Sequence, residues 1–153
     1  AGQVWQPGPE AEVVRYMVED AQRVGQARGA GFYEYDDKGK KVKTWPGLKD
    51  RFAPNGYTDI PYEDVKDRLL FSQVLEAIRI MEEGTINSVA DGNIGSIMGI
   101  GFPPHTGGVY QCVNAYGVQA FAERAQALAE RYGEAFEPPK LLLDMAAKGK
   151  TFA

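Results

Sequence analysis

Residues 99–108 read Gly-Ile-Gly-Phe-Pro-Pro-His-Thr-Gly-Gly, and this stretch decides how the rest of the chain is interpreted. It holds four glycines and two prolines in ten residues. In a helix interior, glycine costs about 1 kcal/mol and proline about 3 kcal/mol relative to alanine. The stretch therefore predicts a turn of fixed shape between two helices, and we call residues 99–108 the elbow.

Upstream of the elbow, residues 62–83 predict the longest helix of the chain, and Gly84 predicts its end. Its apolar residues cover a broad arc, while Leu69 and Ile80 lie almost opposite that arc. A helix that is apolar on two sides is expected to be central, with neighbours packed on both faces.

A shorter helix is predicted to lead from there into the elbow. Asn87 or Ser88 is expected as its N-cap, because both side chains can accept a hydrogen bond from the first turn. Its apolar residues are predicted to face inward: Ile94, Ile97 and Met98.

Three more helices are predicted downstream of the elbow. Residues 109–117 give a short one, and residues 118–132 repeat apolar side chains at helical spacing over four turns. Pro138 and Pro139 precede the last helix, where a missing N–H group does no harm. That helix is predicted to end at Gly149.

The N-terminal part predicts an amphipathic helix from Pro9 to near Gly25, followed by a two-stranded hairpin. The helix is expected to bury an apolar stripe: Val13, Val14, Met17, Val18 and Ala21. The hairpin is predicted from aromatic and β-branched residues: Phe32, Tyr33, Tyr35, Val42 and Trp45. Residues 53–61 form the most loop-like run, so we place a domain boundary between residues 1–58 and 59–153.

Composition excludes several functional classes. With 44% hydrophobic and 25% charged residues, the chain has the balance of a soluble globular protein. A net charge of −4 with mixed signs argues against nucleic acid as a partner, and the basic run 38–43 predicts a solvated hairpin tip. No apolar run approaches the roughly 20 residues of a transmembrane helix.

Cellular location is predicted from cysteine usage and the termini. Cys112 is the single cysteine, which favours a reducing compartment. The first residues lack a secretion signal and an initiator Met, so we expect a processed or excised fragment. The last residues are not a peroxisomal tripeptide, and a bacterial cytoplasm is the expected location.

None of the candidate residues of this chain is expected to bind a dinucleotide or to take part in catalysis. Gly25, Gly29 and Gly31 do not fit the dinucleotide fingerprint, because Glu34 stands where its third glycine should be. His105, the single histidine, is expected to hydrogen bond within a loop.

Other candidate side chains also have structural interpretations. Cys112 is expected to be a buried structural thiol. Asp91 and the pair Glu63-Asp64 are interpreted as acids favoured at helix N-termini. Ser96 lacks the glycine two residues before it that a nucleophile elbow requires. The sequence thus predicts no catalytic, cofactor-binding or metal-binding residue.

Several short motifs resemble one known family. They are Arg68-Leu69-Leu70, Glu76-Ala77-Ile78-Arg79, Glu82-Glu83-Gly84, Gly99 to Pro104, Gly107-Gly108, Leu142, Met145-Ala146, Gly149 and Phe152. Together they look like the helical C-terminal domain of 3-hydroxyacyl-CoA dehydrogenases, as in the multifunctional alpha subunit of the fatty-acid β-oxidation complex. The resemblance implies a mainly α fold: the end of a first helical repeat in residues 1–58, including the small hairpin, and a complete second repeat in residues 59–153.

The resemblance implies a parent enzyme with an enoyl-CoA hydratase domain, a Rossmann domain that binds NAD, and two helical repeats. The dehydrogenase chemistry would lie outside this chain, and Asp67 stands where the family places an asparagine close to substrate in its first repeat. This chain would support the active site, wall the acyl-CoA cleft and mediate subunit contacts. Residues expected to contact substrate or a neighbouring domain are those at the elbow: Gly101, Phe102, Pro103, Pro104 and His105.

Two alternatives remain open at this stage. The chain could instead be a non-catalytic helical interaction module that docks to a partner subunit such as a thiolase. It could also be the helical substrate domain of another NAD-dependent enzyme, because an all-α pattern is shared more widely than any one chemistry.

Overall fold

The computed structural model describes residues 8–56 and 59–153, and the chain divides into two compact units, Ala1–Asp59 and Ile60–Ala153. The expected fold class is confirmed: the described residues are mainly helical, with one small antiparallel hairpin. Tyr57 and Thr58, in the predicted linker, lie outside the described residues.

The first unit contains two short helices and the hairpin. In chain order its elements are helix α1 (Pro9–Arg15), a π-helical turn (Tyr16–Asp20), a 3-10 turn (Gln26–Arg28), strands β1 (Tyr33–Tyr35) and β2 (Lys41–Thr44), and helix α2 (Pro46–Phe52). β1 and β2 pair antiparallel, with Tyr33 opposite Thr44. The predicted hairpin is therefore confirmed.

The first helix was predicted too long. It ends near Asp20 rather than Gly25, because Gln22 has a positive φ of 54° and its side-chain amide donates to the carbonyl oxygens of Val18 and Glu19. Met17 is buried as predicted, but Val14 and Val18 are exposed. The predicted apolar stripe was therefore wrong at those two positions.

Arg23 holds the start of the hairpin. Its Nε donates to the carbonyl oxygen of Gly31 over 2.8 Å, and its Nη2 donates to that of Tyr33 over 3.0 Å. The guanidinium carbon lies 4.6 Å from the ring centroid of Trp45. One arginine thus gives a short hairpin the side-chain support that two strands alone lack.

The second unit is a helical bundle. Its elements are α3 (Tyr62–Glu82), α4 (Val89–Ile100), a 3-10 turn (Pro104–Thr106), α5 (Val109–Tyr116), α6 (Val118–Tyr132), a 3-10 turn (Glu134–Phe136) and α7 (Lys140–Ala147). Each predicted helix is present. Ser88 is the N-cap of α4, where its Oγ accepts from the backbone N–H of Asp91.

α3 is the central helix, packed against α5, α6 and α7. Phe71, Leu75 and Ile78 are completely buried in the core between them. Phe71 stacks on Phe121 of α6, with ring centroids 3.9 Å apart. The expectation that both faces of α3 are covered was wrong at Leu69, which is 68% exposed.

Phe152, near the C-terminal end of the sequence, packs in the same core. Asn114 of α5 donates through Nδ2 to the carbonyl oxygen of Phe152 and accepts from its N–H through Oδ1, over 2.7 and 2.9 Å. The buried Phe152 ring stacks on Tyr110, with centroids 5.1 Å apart. α7 is tied down similarly, because Glu82 accepts from the backbone N–H of Leu141.

Candidate functional site

Helix α4 exposes two of the three apolar residues that were predicted to face inward. Ile94 and Met98 are 62% and 81% exposed, whereas Ile97 is partly buried. The side of α4 that faces the bundle instead carries a glycine and two polar residues: Gly92, Asn93 and Ser96. The candidate site therefore depends on how α4 packs on α5, and not on a catalytic group.

The reason for the reversal is the N-terminus of α5. Its N-cap, Gly108, has no side chain to accept from the free N–H groups of the first turn. Asn93 Oδ1 accepts from the N–H groups of Tyr110 and Gln111 over 2.9 and 3.3 Å. Ser96 Oγ accepts from the N–H of Val109 over 3.3 Å. α4 therefore supplies the cap that α5 lacks.

Two glycines allow this close approach. A Cβ on Gly92 would lie 2.1 Å from Cε2 of Tyr110, and one on Gly108 would lie 2.5 Å from Cα of Asn93. Gly108 also has a φ of +106°, which L side chains rarely adopt. The glycines of this region are thus explained by packing of α4 on α5.

The elbow residues predicted to contact substrate or a domain occupy two environments. Phe102 is 1% exposed and belongs to the core, so its ring is not available at the surface of this unit. Gly101, Pro104 and His105 are exposed, and Pro103 is partly buried. A contact through the elbow stays a prediction for these four residues.

An apolar groove opens between α3 and α4. It has a volume of about 560 Å³, and the N-terminal turn of α5 forms its floor. Its apolar lining is Ala77, Ile80, Ile86, Ile100, Val109 and Tyr110. We call this the α3–α4 groove. None of the five predicted elbow contact residues lines it, although Ile100 immediately precedes them.

Glycine also explains why the groove is open. Gly95 lines the α4 wall, and a Cβ added there would meet no atom within 4 Å. α4 packs mainly on α5 and makes little backbone contact with α3. Tyr110, in the floor of the groove, connects α5 to α3, because its hydroxyl donates to the carbonyl oxygen of Ala77 over 2.7 Å.

Several hydroxyl and amide donors that line the groove already have acceptors. Ser96 Oγ donates to the carbonyl oxygen of Asn93, and the Ser72 hydroxyl and Gln73 amide both donate to that of Leu69. Burial raises the pKa of the Tyr110 hydroxyl, which favours its neutral form. The groove therefore offers shape and apolar surface, which suits aliphatic groups.

A second cluster of side chains joins α3 to α6. Asp64, which is 4% exposed, accepts from Arg124, Arg131 and the Tyr132 hydroxyl over 2.7, 2.7 and 2.6 Å. Asp67 accepts from Nε of Arg124 over 2.7 Å. We call these five residues the ionic cluster.

Asp64 lies in the first turn of α3, as predicted, and its carboxylate also accepts hydrogen bonds from three side chains of α6. The hydrogen bond from Tyr132, followed by that from Arg124, lowers the pKa of Asp64 against the opposing effect of burial. Asp67 takes a structural role, because its carboxylate pairs with Arg124 of α6. The partners are about sixty residues away along the chain, so spacing alone did not reveal them.

The remaining predicted residues have simple surroundings. Cys112 is buried, as expected, and burial raises the pKa of its thiol. His105 lies exposed in the 3-10 turn of the elbow. Across residues 8–56 and 59–153, no three His, Cys, Asp or Glu side chains are placed to share a metal ion.

A scan of the sequence against protein-family models finds no match. Among the helices of the described residues, none has the length and hydropathy needed to cross a bilayer.

Proposed function

We propose that this chain is the C-terminal helical part of a fatty-acid β-oxidation multifunctional enzyme with 3-hydroxyacyl-CoA dehydrogenase and enoyl-CoA hydratase activities. Its second unit would support the dehydrogenase active site without carrying the chemistry. The observation that supports this role is the α3–α4 groove: an open, mainly apolar surface whose three hydroxyl groups already donate to backbone carbonyl oxygens. The sequence resemblance supplies the enzyme class.

In the parent enzyme, NAD would bind in the upstream Rossmann domain, and the helical unit would pack beside it. An apolar groove of about 560 Å³ lies in the usual size range of ligand pockets and suits aliphatic groups of a neighbouring domain or of an acyl-CoA. The exposed elbow residues Gly101, Pro104 and His105 would give a second contact. We further propose a cytoplasmic location.

A partner subunit such as a thiolase is the alternative occupant of the same groove. In that case the chain would be an interaction module, and filling the groove would weaken subunit binding while dehydrogenase turnover stayed the same. The two functions therefore predict different results for one substitution.

The test compares residues 1–153 with a longer protein that carries the upstream domains, using NADH-dependent reduction of acetoacetyl-CoA. We expect the short chain to be inactive and the longer one active. Gly95→Leu adds an apolar side chain to the α4 wall of the groove, at a position where a Cβ would meet no atom within 4 Å. It should lower kcat/KM of the longer protein by roughly tenfold or more, because a shifted domain misplaces the reacting groups. Ala120→Leu, which adds an exposed leucine on α6, is the matched control and should have no effect.

Turnover by residues 1–153 alone would contradict the proposal. So would a Gly95→Leu enzyme with full activity. If that variant kept its turnover but lost binding to a thiolase subunit in a pull-down, the interaction module would replace the supporting domain.

A further inference from the structure

We infer that Met98 is the site at which hydroperoxides oxidise this chain, and that the product is a folded protein with a methionine sulfoxide on the outer face of α4. The inference uses the exposure and the surroundings of the sulfur-containing side chains. It therefore goes beyond the proposed function and does not rest on the enzyme class.

The methionines differ widely in exposure. The sequence has four methionines and one cysteine, and all of them lie in the described part of the chain. Met98 is 81% exposed, whereas Met17 is 2% exposed. Met81 and Met145 are partly buried and pack against the core of the second unit. A buried sulfur reacts with a dissolved oxidant only while the structure around it is open, so Met98 alone needs no such opening.

The neighbours of Met98 on α4 leave its thioether open on several sides. Side chains three and four residues apart are adjacent on a helix, and Ile94 and Gly95 hold these positions before Met98. Ile94 is itself 62% exposed, and Gly95 has no side chain. Two more glycines follow at positions 99 and 101, and a Cβ added at any of the three would meet no atom within 4 Å. A small solute can therefore reach the sulfur without displacing a neighbouring side chain.

Cys112 is the competing sulfur, because a cysteine thiolate also reacts with peroxides. Its side chain is 7% exposed and belongs to the core of the second unit. Burial raises the pKa of this thiol, and the thiolate, not the neutral thiol, is the nucleophile. Both effects protect Cys112, so the thioether of Met98 should react first.

The reaction transfers one oxygen atom from the hydroperoxide to sulfur. A lone pair of the Met98 sulfur attacks the terminal oxygen of the peroxide, an S–O bond forms, and the O–O bond breaks. The displaced oxygen takes the proton of the transferred oxygen and leaves as water, or as an alcohol when the oxidant is an organic hydroperoxide. Sulfur loses two electrons, and the peroxide gains them. Methionine sulfoxide reductases reverse this modification.

Oxidation at this position should change the surface and leave the fold intact. α4 packs on α5 through its other side, which carries Gly92, Asn93 and Ser96. A thioether is apolar, whereas a sulfoxide is polar. Ile100, which lines the α3–α4 groove, is two residues from Met98. The modification therefore makes the apolar surface beside the groove more polar without unfolding the unit.

The test treats folded residues 1–153 with hydrogen peroxide and follows oxygen uptake by intact-protein and peptide mass spectrometry. Met98 should be oxidised at least about tenfold faster than each of the other three methionines, because it alone is mostly exposed. In urea the four rates should converge, since unfolding exposes every thioether. The urea midpoint of the singly oxidised protein should equal that of the untreated chain.

Met98→Leu is the matched control, because leucine has a similar volume and cannot take up oxygen at this position. This variant should lose the fast oxidation and keep the slow ones. Equal rates at Met98 and another methionine of the folded protein would overturn the inference, as would oxidation of Cys112 ahead of Met98 or a fast phase that persists in Met98→Leu. A lower urea midpoint after single oxidation would also overturn it. Dehydrogenase activity of the longer protein is a separate measurement, so failure of the proposed function would leave this inference standing.

Discussion

The two sides of α3 differ in how completely neighbouring helices cover them. Toward α6 the contact is complete: Phe71 stacks on Phe121, and the ionic cluster joins the two helices. Toward α4 the same helix borders an open groove and presents Leu69 to solvent. One helix thus carries a sealed side that stabilises the unit and an open side that is available for binding.

This difference separates two kinds of substitution. Changes on the sealed side should lower stability and leave association unaffected unless the unit unfolds. Changes on the open side should alter association or activity at nearly constant stability. The predictions below test that separation, beginning with the largest effect.

Phe121→Ala should cause the largest loss, about 3–5 kcal/mol of unfolding free energy, because it empties a fully buried aromatic site in the core. Urea unfolding followed by circular dichroism measures the change. Met98→Ala is the comparison on the open side and should shift stability by no more than about 0.5 kcal/mol. Similar losses in both variants would erase the distinction between the two sides.

Asp64→Asn should have the next largest effect, with a clear pH signature. A carboxyl whose pKa is lowered in the folded state stabilises the protein above its unfolded pKa of about 3.9, and that contribution is lost as the pH falls through the folded pKa. Wild-type stability should therefore decline below about pH 4. The variant should be less stable at pH 7 and should lose less stability in acid.

Urea midpoints of the variant and of wild type across a pH series measure this effect. The loss in Asp64→Asn should be smaller than that in Phe121→Ala, because Arg131 is 57% exposed and solvent can compensate part of the missing pair. Parallel profiles for Asp64→Asn and wild type would count against the ionic cluster as a source of stability.

Asn93→Ala should cost about 1–3 kcal/mol, because it removes the acceptor of the buried N–H group of Tyr110 and of the partly buried N–H group of Gln111. Asn93→Asp keeps an acceptor at the N-terminus of α5 and should retain much of the stability. Thermal unfolding of both variants checks the prediction. Equal stability of Asn93→Ala and wild type would mean that α4 is not oriented by capping α5.

The smallest effect is expected at Gly95 of α4, with Gly92 of the same helix as its comparison. Gly95→Ala should stabilise the unit by about 0.5–1 kcal/mol, since the added methyl group enters open space and alanine favours helix. Gly92→Ala should destabilise it, because the same methyl group would overlap the Tyr110 ring. The two positions are three residues apart, slightly less than one helical turn, so opposite signs in urea midpoints would show that Gly92 faces α5 and that Gly95 faces open space.

Most of the helices could be predicted from sequence, because periodicity and turn residues agree. In α6, Phe121, Ala125 and Leu128 repeat at helical spacing and are all completely buried. Ser88 and Gly84 mark the start and end of neighbouring helices as expected. In these segments, local propensity and burial favour the same structure.

The orientation of α4 was predicted wrongly because two requirements compete in this helix. Its apolar pattern favours Ile94 and Met98 in the core, but α5 begins at Gly108 without an acceptor of its own. Burying Asn93 and Ser96 supplies that acceptor. The signal in the sequence was a pair of polar residues three apart on an apolar helix, ahead of a helix with a glycine N-cap.

The ionic cluster could not have been predicted from spacing. Asp64 and Asp67 meet Arg124 through the fold alone, and N-terminal acids are common on helices that need no such partner. The groove was missed for the same reason: its walls come from helices whose separation depends on the α5 floor between them.

Thiol labelling of Met98→Cys tests most directly whether the outer face of α4 is uncovered. Buried Cys112, 7% exposed, serves as the internal reference within the same chain. In dilute protein a maleimide should modify Cys at position 98 at the rate of a free thiol, with Cys112 unmodified until urea unfolds the chain. Protection of position 98 in the folded protein, or faster modification of Cys112, would contradict the account.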